Sequence, residues 1–297
     1  MRLAAFSAHG VARVGVVIDH EVHELECSLR DALVLSAAGV PEAVNRSRNG
    51  WTHDLEEVTL LAPLATGARV FCIGINYLEH QRESADTFVA AVPEHPIVFS
   101  KMREAIVGHE EVLRLPRTAS LEFDWEVELA IVIGAAVSNV DRADAASAIA
   151  GYTVVNDVTA RDLQRRHLQW LLAKSVDSAT PLGPLVVTRD ELGSEPDLEI
   201  ELRVNGEVKQ SARTSELIFG VPEIVSTISR TIALRPGDVI ATGTPSGVGF
   251  KSDPVQYLVD GDVLESRVEG IGTLRNTIAT APGSSGRSAT EPSEVSA

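Results

Sequence analysis

A chain of 297 residues with 44% hydrophobic and 23% charged residues is long enough to bury one large core, or a large and a small one. Its formal charge of −16 at pH 7 excludes nucleic acid and anionic membrane surfaces as expected partners, because phosphate binding needs clustered Lys and Arg. The two cysteines, Cys27 and Cys72, lie far apart with no CxxC or Cys/His spacing, so neither a disulfide framework nor a structural zinc site is indicated.

The amino terminus MRLAAFSAHG lacks the apolar segment of a signal peptide, and no run of about 18 apolar residues marks a membrane span, so the expected location is the cytoplasm. Residues 1–65 read as a small amino-terminal domain. In it, ARVGVVIDHEVHEL has two β-type runs around Asp19 and His20, as in a hairpin, and SLRDALVLSA and VPEAVNRS have helical patterns. His20, His23 and His53 are scattered without metal spacing and are expected in surface or packing roles.

A second domain is expected over residues 66–280. The apolar strand VFCIG breaks at Gly74 and is followed by Asn76, Tyr77, His80 and Glu83. If LEHQRES is helical, His80 and Glu83 lie three apart on one face, so the carboxylate can orient the imidazole. Further on, HPIVFSK carries Lys101, for which a solvated position is the commoner outcome, and His95 and His109 stand in loop-like contexts. FDWEVELAIVIG then alternates before becoming wholly apolar, and strand periodicity directs Glu126 and Glu128 to the same face. The stretch DRADAASAIA, from Asp141 to Ala150, predicts an Ala-rich helix that returns the chain to a second strand ending in Asn156 and Asp157. A Glu-x-Glu pair is ordinarily a solvated strand edge. Three carboxylates converging from two strands repel one another, and a hard divalent cation such as Mg2+ or Mn2+ removes that cost with oxygen ligands.

Arg161 and Gln164 follow Asp157 at helical spacing and can reach the same cavity, and LQWLLA precedes Lys174, where an ammonium would be partly desolvated near the carboxylates. LEIELRVNGEVKQ alternates about Asn205-Gly206, a type I′ hairpin signal, and VPEIVSTISRTI is helical in pattern. The Gly-rich TGTPSGVG follows strand VIATG; its backbone N–H groups can meet a carboxylate or oxyanion. It has neither the Lys of a P-loop nor the spacing of a dinucleotide fingerprint. From 281 to 297 the chain is rich in Ser, Gly, Pro and Glu and is expected to be disordered.

Four blocks in order, GINYLEH (74–80), NDVTARDLQ (156–164), KSVDSATPLGP (174–184) and RPGDVIATGTPSGVG (235–249), resemble the fumarylacetoacetate hydrolase family, and the resemblance covers residues 68–277. It implies a mixed α/β, β-rich fold, a rolled mixed β-sheet with a small amino-terminal domain, and a homodimer. It implies Mg2+ or Mn2+ on Glu126, Glu128 and Asp157, and His80 with Glu83 activating water or accepting a proton. Lys174 would stabilise an enolate, with Asn76, Tyr77, Arg161, Gln164 and Thr244 around a small anionic oxo-acid substrate. Val176 replaces the commoner aromatic residue of the KSxD pattern, which puts substrate size in question. The expected activity is hydrolysis of a C–C bond in an acylpyruvate or fumarylpyruvate type of 1,3-diketo acid. The alternatives are isomerisation or decarboxylation of related oxo acids, of the oxaloacetate decarboxylase or 2-hydroxyhepta-2,4-diene-1,7-dioate isomerase type, since a stabilised enolate serves all three. A non-catalytic paralogue would have lost a ligand or the dyad, and all are present.

Overall fold

The computed structural model describes residues 1–39, 41–46, 48–65, 67–88 and 91–281. The tail expected to be disordered lies outside them from residue 282 onward. Strands β1 (Arg2–Ala8), β2 (Val11–Ile18) and β3 (Glu21–Leu25) form an antiparallel meander, turning at Asp19 in a left-handed conformation, φ 54°. Helix α1 (Leu29–Ala37) begins where Ser28 Oγ accepts the Asp31 N–H, and it buries Leu29, Ala32, Leu33, Ser36 and Ala37 at spacings of three and four. Helix α2 (Pro41–Arg46), β4 (Arg48–Asp54) paired with β3, and β5 (Thr59–Leu60) paired with β1 complete this part. His53 is a packing residue here, with Nε2 2.7 Å from the buried carboxylate of Glu24.

The rest of the chain begins with β6 (Val70–Gly74), helix α3 (Leu78–Ser84), β7 (Ile97–Lys101), β8 (Ile106–Val107), β9 (Val112–Pro116) and β10 (Phe123–Asp124). It continues through β11 (Val127–Ile133), β12 (Ile149–Asn156), β13 (Thr159–Ala160), α4 (Arg161–Arg166), α5 (Leu171–Lys174), β14 (Thr180–Thr188) and α6 (Arg189–Leu192). Last come β15 (Glu199–Val204), β16 (Glu207–Arg213), α7 (Val221–Ser229), β17 (Val239–Ala241), β18 (Val263–Val268) and β19 (Gly272–Ala281). Among the described residues the main sheet runs β4-β3-β2-β1-β14-β12-β11-β17-β6-β7, so the amino-terminal meander is continuous with it through the antiparallel β1–β14 pair. A five-stranded sheet, β16-β15-β18-β19-β9, packs its apolar face against β11 and β12, and β10 pairs with β13. The β17–β6 and β19–β9 pairs are parallel and their neighbours antiparallel, which makes a mixed α/β, β-rich fold. The Asn205-Gly206 hairpin forms between β15 and β16, both residues at positive φ.

Asp141–Ala150 does not form the expected helix. Only a 3-10 turn at Ala145–Ala148 appears, and Ile149 and Ala150 already belong to β12. The Ala propensity is local, whereas Ile149 to Asn156 are wholly buried between two strand neighbours, and tertiary pairing wins.

The β11–β12 register positions the site. Val127 pairs with Asn156 and Glu128 with Val155, so the start of one strand opposes the end of the other, and the Asp157 N–H donates to the Glu126 carbonyl at 2.8 Å. Close packing of β12 on β14 depends on Gly151, where a Cβ would fall 2.2 Å from the Val187 carbonyl oxygen and 2.8 Å from Thr188 Cα. Backbone cannot give way as a side chain can, so Gly151→Ala is expected to destabilise the protein by about 3 kcal/mol in urea unfolding. An unchanged midpoint would mean that the two strands are not held this tightly.

Candidate active site

Glu126, Glu128 and Asp157 are all buried, and one carboxylate oxygen from each lies within 4.8 Å of the others. Hard oxygen donors at that separation fit a divalent cation of the Mg2+ or Mn2+ kind. These three residues can hold it.

Cationic side chains surround the carboxylates. Lys174 Nζ, on the last residue of α5, lies 2.7 Å from both Glu126 Oε2 and Asp157 Oδ2. Lys101, at the end of β7, is buried rather than solvated: its Nζ donates to Asp157 Oδ1 at 2.6 Å and to the Val158 carbonyl at 3.2 Å. The signal was in the strand alternation, which places Phe99 and Lys101 on one face. Arg161 Nε donates to Asp124 Oδ2 at 3.0 Å and Nη1 to Gln164 Oε1 at 2.8 Å; Nη2 lies 2.6 Å from Glu126 Oε1 in an ion pair without an aligned hydrogen bond. The guanidinium sits 4.4 Å over the Phe250 ring. Asp124 was not singled out in the sequence, although it stands two before Glu126 in the same alternating run. It anchors Arg161 and accepts the N–H groups of Trp125, Gly249 and Phe250.

Helix α3 carries the dyad. His80 Nδ1 lies 3.1 Å from Glu83 Oε2, and Glu83 Oε1 accepts the Gly247 N–H at 3.0 Å, which leaves Nε2 as the free imidazole nitrogen. The turn before the helix is strained: Ile75 adopts φ 55°, which costs a β-branched residue about 1–3 kcal/mol. Asn76 clamps it, donating to the Phe219 and Thr242 carbonyls at 3.0 and 2.7 Å and accepting the Phe219 N–H at 2.7 Å. Its amide is thereby directed at backbone. Tyr77 is buried, with its hydroxyl unpartnered, and does not line the cavity described below.

The Gly-rich loop after β17 does bring backbone N–H groups to carboxylates, and those carboxylates are the protein's own. Gly243 donates to Glu128 Oε2 at 2.6 Å and Gly247 to Glu83. Gly247 has φ 99°, and a Cβ there would lie 1.9 Å from the Lys209 carbonyl oxygen, so no other residue fits. Thr244 Oγ1 donates to the Val127 carbonyl and accepts from Gln210 Nε2. A cavity of about 20 Å³, roughly the space of one water, is lined by His80, Glu126, Arg161, Gln164, Lys174 and Thr244, with Phe88, Phe99 and Trp170 as its aromatic wall. Val176 is in the hydrophobic core and does not shape this cavity.

Burial opposes every charge here, and the neighbours decide each outcome. For Glu126, Lys174, Arg161 and His80 outweigh burial and bring the carboxyl down to about 2. Lys174 and Arg161 lose by burial but gain more from Asp157, Glu126 and Asp124, so both are held above their ordinary range. For Glu128 the balance goes the other way: burial, then Asp157 and Glu126, outweigh Lys174 and the Gly243 N–H and push it well above the usual carboxylate range.

Residues 69–279 match the family model described as Fumarylacetoacetate (FAA) hydrolase C-terminal. Oxaloacetate tautomerase YisK of Bacillus subtilis is 40% identical over 235 residues, covering 79% of this chain and 77% of that protein. Among solved structures, a fumarylacetoacetate hydrolase from Exiguobacterium antarcticum superimposes with a TM-score of 0.82 at 35% identity, covering 95% of this chain and 100% of that one. A 2-hydroxyhepta-2,4-diene-1,7-dioate isomerase from Mycobacterium marinum does so with a TM-score of 0.77 at 35% identity, covering 94% and 98%.

A carboxyl raised in the folded state holds its proton more tightly there than in the unfolded chain, so ionising it lowers stability as pH rises above the unfolded value of about 4.3. Glu128→Gln keeps an oxygen for the Gly243 N–H and removes the repulsion. The expected result is a variant whose metal-free melting temperature gains on the wild type as pH rises above about 4.3, with Mn2+ binding weakened by roughly 10-fold or more. A difference independent of pH would contradict this electrostatic account.

Proposed function

The chain belongs to the fumarylacetoacetate hydrolase family, and from that premise we propose that it is a metal-dependent isomerase interconverting the keto and enol forms of a short 2-oxo diacid of the oxaloacetate type. The observation that carries this reading is that His80, backed by Glu83, and Lys174 line one small cavity with the candidate metal ligand Glu126. A base and a fixed ammonium beside a cation site suit a reaction that only moves a proton between carbon and oxygen. The relatives favour it as well: one is named a tautomerase and one an isomerase, the alternative expected from the sequence rather than hydrolysis.

Glu126, Glu128 and Asp157 would hold the divalent cation, which when bound would supply Lewis-acid polarisation of the 2-oxo group. His80 Nε2 takes a proton from C3, and the C–H electron pair becomes the C2–C3 double bond. The C2–O π pair moves onto the oxygen, where the Lys174 ammonium, held between Glu126 and Asp157, stabilises the charge by a hydrogen bond; the His80 imidazolium then gives its proton to that oxygen, which returns His80 to the neutral base, and the reverse steps restore the ketone. Arg161 Nη2, with no aligned acceptor, donates to a substrate carboxylate, and Gln164 fixes the guanidinium from its other side.

With Mg2+ or Mn2+, the full chain should accelerate the decay of enol oxaloacetate absorbance without releasing CO2. Excess chelator or His80→Gln should slow this by at least about 100-fold. Cleavage of acetylpyruvate in its place would return the protein to the hydrolases, CO2 as the product would make it a decarboxylase, and inactivity on every substrate with metal bound would make it non-catalytic.

A further inference from the structure

Trp170 takes no part in the proton transfers, yet it lines the same cavity as His80, Arg161 and Lys174. It stands immediately before α5, four residues ahead of Lys174, and its carbonyl accepts the Ala173 and Lys174 N–H groups, each at 2.9 Å. One helical turn therefore carries both the indole and the ammonium. The ring is fixed from other elements as well. A Cβ at Gly74 would lie 2.8 Å from Trp170 Cζ3, so the indole rests directly on the bare backbone at the end of β6. Phe99 of β7 meets it edge-on at 5.4 Å and Phe88 at 6.1 Å. The cavity thus has charged groups over part of its lining and a braced aromatic wall over the rest, with about 20 Å³ between them.

We propose that Trp170 is the specificity-determining residue that limits the length of the substrate's carbon chain. This rests on the 2-oxo diacid reading above and adds a size limit to it. With its carboxylates among the cations a four-carbon diacid spans the charged part of the lining; each further methylene drives the chain against the indole, which packs on Gly74 and is met edge-on by Phe99 and Phe88.

The test is calorimetric binding of oxaloacetate, 2-oxoglutarate and 2-oxoadipate to the Mg2+-loaded full chain. Wild type should lose roughly 10-fold or more in affinity from four carbons to six. Trp170→Ala should flatten or invert that series, and Trp170→Phe should fall between. A cooperatively melting Trp170→Ala protein with the wild-type length dependence would overturn the proposal, as would a wild-type series without length dependence. If the alanine variant does not fold, the Trp170→Phe series decides in the same way. Tautomerisation of oxaloacetate, followed in parallel, separates the two claims: a length-graded series without turnover supports the size limit and refutes the reaction.

Discussion

Four carboxylates, Asp124, Glu126, Glu128 and Asp157, and three cations, Lys101, Lys174 and Arg161, are packed together out of reach of solvent, and the domain is arranged around keeping them there. Each isolated ion would cost several kcal/mol to bury, so none is tolerable without the others. With every group ionised the balance is one negative charge in excess, and it is relieved at Glu128, the carboxylate that no ammonium or guanidinium touches and that burial, Asp157 and Glu126 favour in its protonated form. A divalent cation reverses that excess to one positive charge. That local positive charge is the basis on which a small anionic oxo acid is proposed as substrate, although the chain as a whole is strongly acidic.

Geometry follows from a few backbone decisions. The β11–β12 register brings Glu126 and Asp157 to adjacent strand ends, and the Gly-rich loop binds Glu128, Glu83 and Asp124 through main-chain N–H groups that need no side-chain entropy. The strained turn at Ile75 is clamped by Asn76 to backbone on two other segments, which fixes where α3 starts and therefore where His80 sits. A site whose dipoles are set before substrate arrives has little to reorganise during reaction.

Much of this was legible in the sequence, for physical reasons. Alternation in FDWEVELAIVIG aligned Glu126 with Glu128, the helical spacing in LEHQRES paired His80 with Glu83, and Asn205-Gly206 marked its hairpin. What was not legible depends on contacts between distant segments. Lys101 looked like a surface lysine because its partner, Asp157, lies 56 residues away. The Gly-rich loop offered N–H groups to some anion, but only the fold reveals that Glu83, Asp124 and Glu128 take them. Trp170 was read as part of an apolar run beside Lys174, and its role as a wall requires Gly74 and Phe99 to be in place. The Ala-rich segment before β12 misled because local propensity is weaker than burial in a sheet.

The central claim is that this buried cluster takes one divalent cation and that the cation completes the binding site for a 2-oxo acid. Oxalate, a planar dianion resembling the enolised end of such an acid, tests it directly in a titration of the full chain with Mn2+ and then with oxalate, followed by calorimetry and electron paramagnetic resonance. The account predicts one Mn2+ per chain, and oxalate binding that perturbs the Mn2+ signal and disappears when the metal is removed. Equal oxalate binding by metal-free protein, or Mn2+ binding unaffected by Glu126→Ala, would contradict it.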